Sequence, residues 1–182
     1  SNPPAAREGL LRDVAVLDAF AARAQALSYD TKARCLVDYV RSVRELGAAG
    51  KSTGKLIIFT ESLTTQSFLE ELLLGAGYAR GEITLFRGDN DSARAKEALA
   101  AWQRDVGSKL GPAMQPSRDV ALRLALVHEF RNRSSVFIST EAGAKGLNLQ
   151  FCETLVNYDL PWNPQRIEQR IGRVHRYGQL HD

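Results

Sequence analysis

The chain reads as an α/β fold: a mostly parallel sheet flanked by helices in three layers, α/β/α, with a helical extension at its amino terminus and a helical insertion. Two observations carry this. Short continuous apolar runs alternate along the chain with longer stretches of helical periodicity. The runs lack polar alternation, as strands buried on both faces of a parallel sheet do. Strands joined through helices imply right-handed crossovers.

Residues 5–27 are rich in Ala, Leu, Arg and Asp, with Leu10, Val14, Leu17 and Ala21 at helical spacing. Ser28-Tyr29-Asp30 interrupts the pattern, and Asp30 or Thr31 can cap a second helix through about Leu46, apolar at Leu36, Val37, Val40 and Val43. Gly47–Gly54 is a breaker. Leu56–Thr60 is the first strand, followed by a helix (Leu63, Phe68, Leu69, Leu72, Leu73) that stops at Gly75-Ala76-Gly77. Ile83–Phe86 is the second strand. Helical stretches at about 91–106 and 118–131 are separated by a Gly/Pro-containing loop, Gly107–Pro116. Val136–Thr140 and Thr154–Tyr158 are the third and fourth strands; Pro161-Trp162-Asn163-Pro164 makes a turn, and a last helix runs from about Gln165 to Val174. In such sheets the loops at the carboxyl ends of the strands form the site.

Composition excludes several classes. The chain has 182 residues with 44% hydrophobic and 25% charged content, enough for a packed core without disulfides or metals. Its net charge of +3 and pI of about 9.0 are compatible with nucleic acid but do not identify it as a partner. No run approaches the roughly 18 apolar residues of a membrane helix, and no charged-then-apolar signal peptide opens the chain. Ser1-Asn2 reads as a tag remnant, and the chain reads as an excised piece of something longer. Cys35 and Cys152 match no metal spacing and read as buried, reduced thiols; His128, His175 and His181 form no ligand cluster, so no metal site is expected.

Ala49-Gly50-Lys51-Ser52 imitates a phosphate loop. However, Glu45 stands where the pattern needs glycine, and the segment lies between a helix and a strand instead of between a strand and a helix. It reads as a linker.

Residues 165–176 are the most informative. At about 100° per residue, Ile167, Ile171 and Val174 share one helix face and Gln169, Arg173 and Arg176 the opposite one. The segment is expected to pack by its isoleucines and to present two guanidiniums and an amide, donors suited to phosphate. A solvated basic face is the alternative. The string Gln169-Arg170-Ile171-Gly172-Arg173-Val174-His175-Arg176-Tyr177-Gly178-Gln179 resembles motif VI of the superfamily 2 helicases, most closely the Swi/Snf-type, bacterial RNA-polymerase-associated branch. Val136–Gln150 resembles motif V, Val156–Pro164 the linking strand and turn, Leu56–Ser62 motif IV, Phe86-Arg87-Gly88 the element after it, and Asp30–Ala33 the beginning of this domain.

The resemblance covers about residues 30–180 and implies a RecA-like C-terminal domain over 30–182, preceded by a helical extension at 1–29 and carrying an insertion at about 91–117. It implies one half of a nucleic-acid-dependent ATPase. ATP and Mg²⁺ would be held mainly by an N-terminal RecA-like domain bearing the phosphate loop and Asp-Glu box, neither of which this chain contains. Arg173 and Arg176 map onto arginine fingers, whose role is to stabilise charge on the transferring phosphoryl group, and Gln169 onto the motif VI glutamine. Gly146, Asn148, Gly172 and Arg170 fall to the ATP side. Many superfamily 2 members carry Asp where Asn148 stands; the Swi/Snf branch carries Asn. Thr60, Glu61, Ser62, Arg87, Gly88 and Thr140 fall to the nucleic-acid backbone, DNA favoured over RNA. Ser62 reads equally as a helix cap, Arg87 equally as a solvated arginine, and Trp102 as the anchor of the inserted helix. A cytoplasmic or nucleoid-associated protein without membrane contact is implied, inactive as the isolated chain. The alternatives are a degenerate scaffold domain, against which both arginines argue, and a stand-alone nucleotide hydrolase, against which the failed phosphate loop argues.

Overall fold

The computed structural model describes residues 14–19, 31–87, 92–140, 146–160 and 164–174. The chain divides into two compact units, Ser1–Leu36 and Val37–Asp182. In the first, residues 14–19 are helical. Helix α1 (Thr31–Ala48) contributes its residues from Val37 onward to the second unit, where Val40 and Val43 are buried.

The second unit is built on four parallel strands, β1 (Leu56–Thr60), β2 (Ile83–Phe86), β3 (Val136–Thr140) and β4 (Thr154–Asn157), in the order β2-β3-β1-β4. All five residues of β1 and of β3 are buried, which is why both sequences are apolar without alternation. Helices α2 (Leu63–Gly75), α3 (Ala93–Asp105), α4 (Arg118–Asn132) and α5 (Pro164–Val174) complete the unit. One sheet face, with Ile57, Phe59, Phe86 and Phe137, packs against α3 and α4 through Ala95, Ala98, Trp102, Ala121, Ala125 and Phe130. By strand alternation Leu56, Ile58, Val136 and Ile138 face the other way. Rings stack along the first face, Phe86 on Phe137 at 5.6 Å and Phe137 on Phe130 at 5.0 Å between centroids.

Each helix starts or stops for a local reason. Ser62 Oγ accepts from the Thr65 amide at 3.0 Å and Ser92 Oγ from the Ala95 amide at 3.1 Å, so serines cap α2 and α3. Between α1 and β1 the chain turns on itself so tightly that a Cβ on Gly47 would lie 2.4 Å from the Gly54 Cα. The phosphate-loop imitation is therefore a helix-to-strand turn, closed by the Lys51 amide donating to the Leu46 carbonyl at 2.9 Å. Helix α3 is part of the core: Trp102 is buried beside Gly107, where a Cβ would come within 3.1 Å of the indole. Cys152 is buried as expected, whereas Cys35 is exposed.

Candidate functional site

Parallel pairing puts Thr60, Phe86, Thr140 and Asn157 at one edge of the sheet, and Thr60 lies in register with Thr140. Around this edge the structure gathers part of the expected set. Thr60 is fully buried, and its Oγ1 donates to Asp159 Oδ2 at 2.6 Å. The Glu61 amide donates to the same oxygen at 3.3 Å. The Tyr158 amide donates to the Phe59 carbonyl at 2.9 Å, extending the β1–β4 ladder and holding Asp159 in place. Thr140 is 7% exposed. Ser62 is a helix cap in this structure.

Arg170 departs most from expectation. Helical spacing assigned the packing face of α5 to Ile167 and Ile171, yet Ile171 is 47% exposed and Arg170 only 2%. The Arg170 guanidinium, assigned by resemblance to ATP, is directed into the domain. Nη1 donates to Asn157 Oδ1 at 2.9 Å and to the Asp159 carbonyl at 3.2 Å, Nη2 pairs with the Glu61 carboxylate, and the group lies 5.3 Å from the Phe59 ring centroid. The cause is the acceptor set converging from the ends of β1 and β4, which offers a buried cation charge and hydrogen bonds together. Glu61, assigned to nucleic acid, has its carboxylate engaged by this arginine. Asn157 and Asp159, both polar at a strand end, were missed as members of this cluster; their place directly after an apolar run is the signal that could have found them.

Gln169 is exposed on α5. Gly172 and Arg173 lie on the same helix. Arg176 and Gly88 lie outside the described residues. Gly146 has φ +86°, a left-handed conformation that strains any other residue. Asn148 Oδ1 accepts from the Gln150 amide at 3.3 Å, a local turn leading to the buried Leu149. Gly146 and Asn148 line a cavity of about 380 Å³ whose other walls include Trp102, Val127 and Arg131; none of Thr60, Glu61, Ser62, Arg87 or Arg170 lines it. Arg87 is held by Gln66, its Nε donating to Gln66 Oε1 at 2.8 Å. Gln66 was also missed, although Gln66, Leu69 and Leu73 mark one inward helix face at i, i+3, i+7.

Groups with displaced pKa lie away from these residues. Burial pushes the Cys152 thiol up to about 12, lowers the Lys55 ammonium and raises the Tyr78 hydroxyl. Among the described residues no three His, Cys, Asp or Glu side chains converge as metal ligands, and no helix is long and apolar enough to cross a membrane. The described residues supply no carboxylate set fitting Mg²⁺.

A parallel sheet with helices on both faces, and polar residues gathered at the strands' carboxyl ends under an arginine-bearing helix, defines a RecA-like α/β domain. Residues 112–178 match the family described as the helicase conserved C-terminal domain. The chain is 35% identical over 160 residues to the "Uncharacterized ATP-dependent helicase YqhH" of Bacillus subtilis (strain 168), covering 88% of this chain and 22% of that protein. It is 51% identical over 49 residues to the "RNA polymerase-associated protein RapA" of Serratia proteamaculans (strain 568), covering 27% of this chain and 5% of that protein. The chain thus spans about a fifth or less of the length of these relatives. Together these matches support a C-terminal helicase domain of superfamily 2.

Proposed function

We propose that the chain is the C-terminal half of an ATP-dependent, DNA-translocating motor of the Swi/Snf-type branch, working against an N-terminal RecA-like domain that holds ATP and Mg²⁺. The observation that carries this is the anchoring of α5. Arg170 clamps the helix to the ends of β1 and β4, and the helix carries Arg173 three residues on, with Arg176 following it in sequence.

ATP, when bound, supplies the phosphoryl group that is transferred. This chain's part is electrostatic: Arg173 and Arg176 would place permanent positive charge where negative charge develops, with no proton to move. Arg170 acts through the helix as a positioning residue. Gln169, exposed on α5, would face the partner domain, with Gly146, Asn148 and Gly172 on the nucleotide side. Ser62, Arg87, Gly88 and Thr140 would follow a nucleic-acid backbone, with Thr60 and Glu61, engaged by Asp159 and Arg170, holding that edge in place. Contacts of this kind go to phosphates and tolerate any base sequence. DNA is favoured because a relative 51% identical over 49 residues is named for association with RNA polymerase. Such a protein would be cytoplasmic or nucleoid-associated.

The test is DNA-stimulated ATP turnover. Arg173→Ala in the full-length motor is expected to lower kcat by roughly 10³-fold or more while leaving ATP affinity nearly unchanged, and the 182-residue chain alone is expected to show none. Unchanged turnover would favour a degenerate scaffold domain, and hydrolysis by the isolated chain would overturn the half-motor reading.

A further inference from the structure

Helix α5 has little apolar hold on the domain. Among its described side chains Arg170 alone is buried; Ile167 is partly buried, and Gln165, Glu168, Gln169 and Ile171 are exposed. Where most surface helices dock by an apolar stripe, this one docks by a guanidinium. A buried cation needs compensation in charge as well as in hydrogen bonds. The Asn157 amide oxygen and the Asp159 carbonyl, which accept from Nη1 at 2.9 Å and 3.2 Å, are neutral. The Glu61 carboxylate, paired with Nη2, carries the opposite charge. Residue 61 is itself fixed from both sides: its amide donates to Asp159 Oδ2 at 3.3 Å, and Ser62 after it caps α2 through the Thr65 amide. The carboxylate is thus a fixed point at the end of β1.

We infer that Glu61 is a positioning residue for phosphoryl transfer: through Arg170 it sets α5, and with it Arg173, over the strand ends. The inference rests on the proposed reading of Arg173 as an arginine finger. Arg173 follows Arg170 by three residues, about 4.5 Å along the axis and less than one turn, so a shift of Arg170 is passed to Arg173 nearly whole. Misplacing a group that acts on the transition state by about 1 Å can cost about 10²-fold in rate. The sign of the charge points the same way. A carboxylate repels a phosphate backbone, and this one is engaged by a cation of its own chain. Glutamine at position 61 would keep the length and an acceptor oxygen but not the charge, and aspartate is one methylene shorter. The pair therefore depends on the charge and the reach of glutamate together.

The test is steady-state ATP turnover at saturating DNA in the full-length motor, with the affinity for a fluorescein-labelled mixed-sequence duplex measured beside it by anisotropy. The Glu61 side chain is 39% exposed, so its variants are expected to fold. Glu61→Gln should lower kcat roughly tenfold and Glu61→Ala roughly 10²-fold, with the KM for ATP nearly unchanged. Neither should weaken duplex binding. The loss should be shared with Arg170: in an Arg170→Met background Glu61→Gln should lower kcat no further, whereas in a Lys55→Met background, at the other end of the sheet, it should act by its full factor. A role in folding alone would lower the melting temperature and leave kcat of the folded motor intact. An unchanged kcat, or losses that multiply in the Arg170→Met background, would overturn the inference. So would weaker duplex binding with kcat intact, which would return Glu61 to the nucleic-acid contacts. An Arg173→Ala that turns over as the parent does would instead overturn the finger reading on which the inference rests.

Discussion

The two ends of the sheet both bury polar groups, but they satisfy them differently. At the amino end the acceptors are largely backbone. Lys55 Nζ donates to the Phe130 carbonyl at 2.8 Å and the Ser134 carbonyl at 2.7 Å, and Cys152 Sγ to the Lys55 carbonyl at 3.2 Å and the Thr154 carbonyl at 3.3 Å. These contacts close the end of α4 against β1, and they would survive many changes in the surrounding side chains. At the carboxyl end the acceptors are largely side chains: Asp159 for Thr60, Asn157 and Glu61 for Arg170, and Gln66 for Arg87. The difference separates a seam that holds the fold from a cluster that holds loops and α5 in relation to one another. The second arrangement depends on the identity of each residue, as a site does.

The largest effect should come from removing the cation at each end. Arg170→Met strands Asn157, the Asp159 carbonyl and Glu61, and is expected to cost about 2–4 kcal/mol in urea unfolding. It should also lower DNA-stimulated ATP turnover in the full-length motor well beyond what the stability loss explains, because α5 carries Arg173. Lys55→Met makes the same chemical change at the amino end, with an expected cost of about 1–2 kcal/mol and turnover unchanged. Equal effects on turnover would erase the distinction between the two ends.

A smaller effect sharpens the carboxyl end further. Thr60→Val keeps shape and burial but removes the hydroxyl that Asp159 accepts from. A hydrogen bond to a charged group is worth about 1.5–3 kcal/mol, and Asp159 keeps the Glu61 amide, so a loss near the lower figure is expected on thermal denaturation. A neutral Thr60→Val would mean that this hydroxyl holds nothing in place.

The contrast also explains what the sequence could show. β1 and β3 were legible because burial on both faces leaves an uninterrupted apolar run, and the serine caps because their chemistry is local. Tyr158 falls outside β4 although its amide still donates to β1, a difference at the fraying end of a strand. Arg170 was not legible. Apolar spacing within α5 ranks Ile171 for burial, but burial was decided by three acceptors on other elements, distant in sequence. A long arginine can also bury its stem where a shorter polar residue cannot. Gln66 was half legible: its period marks it as inward, but only the fold supplies the two carbonyls that make a buried amide tolerable. Cys35 was read as buried because free cysteines usually are, a tendency that yields at this exposed helix position.

The smallest expected effect concerns alkaline pH and belongs to the amino end alone. Cys152 has its thiol raised from 9.0 to about 12 by burial. Between those values the unfolded chain loses the proton while the folded one keeps it. The stability this thiol contributes is therefore complete below pH 9 and declines as pH rises toward 12, by at most about 1.4 kcal/mol per pH unit. Lys55 is lowered from 10.5 by burial, so the unfolded chain binds its proton more readily, and this group alone would make stability rise with pH up to that value. The two neighbours oppose each other. Urea melts at pH 8, 9 and 10 should show a shallower alkaline decline for Cys152→Ala than for the parent, and a steeper one for Lys55→Met. Parallel curves for all three would show that neither group's burial is coupled to folding. The same burial predicts that a thiol reagent at pH 8 labels Cys35, which is exposed, and reaches Cys152 only on unfolding. Rapid labelling of both would mean that the amino-end seam opens in the native state and is not the more rigid of the two ends.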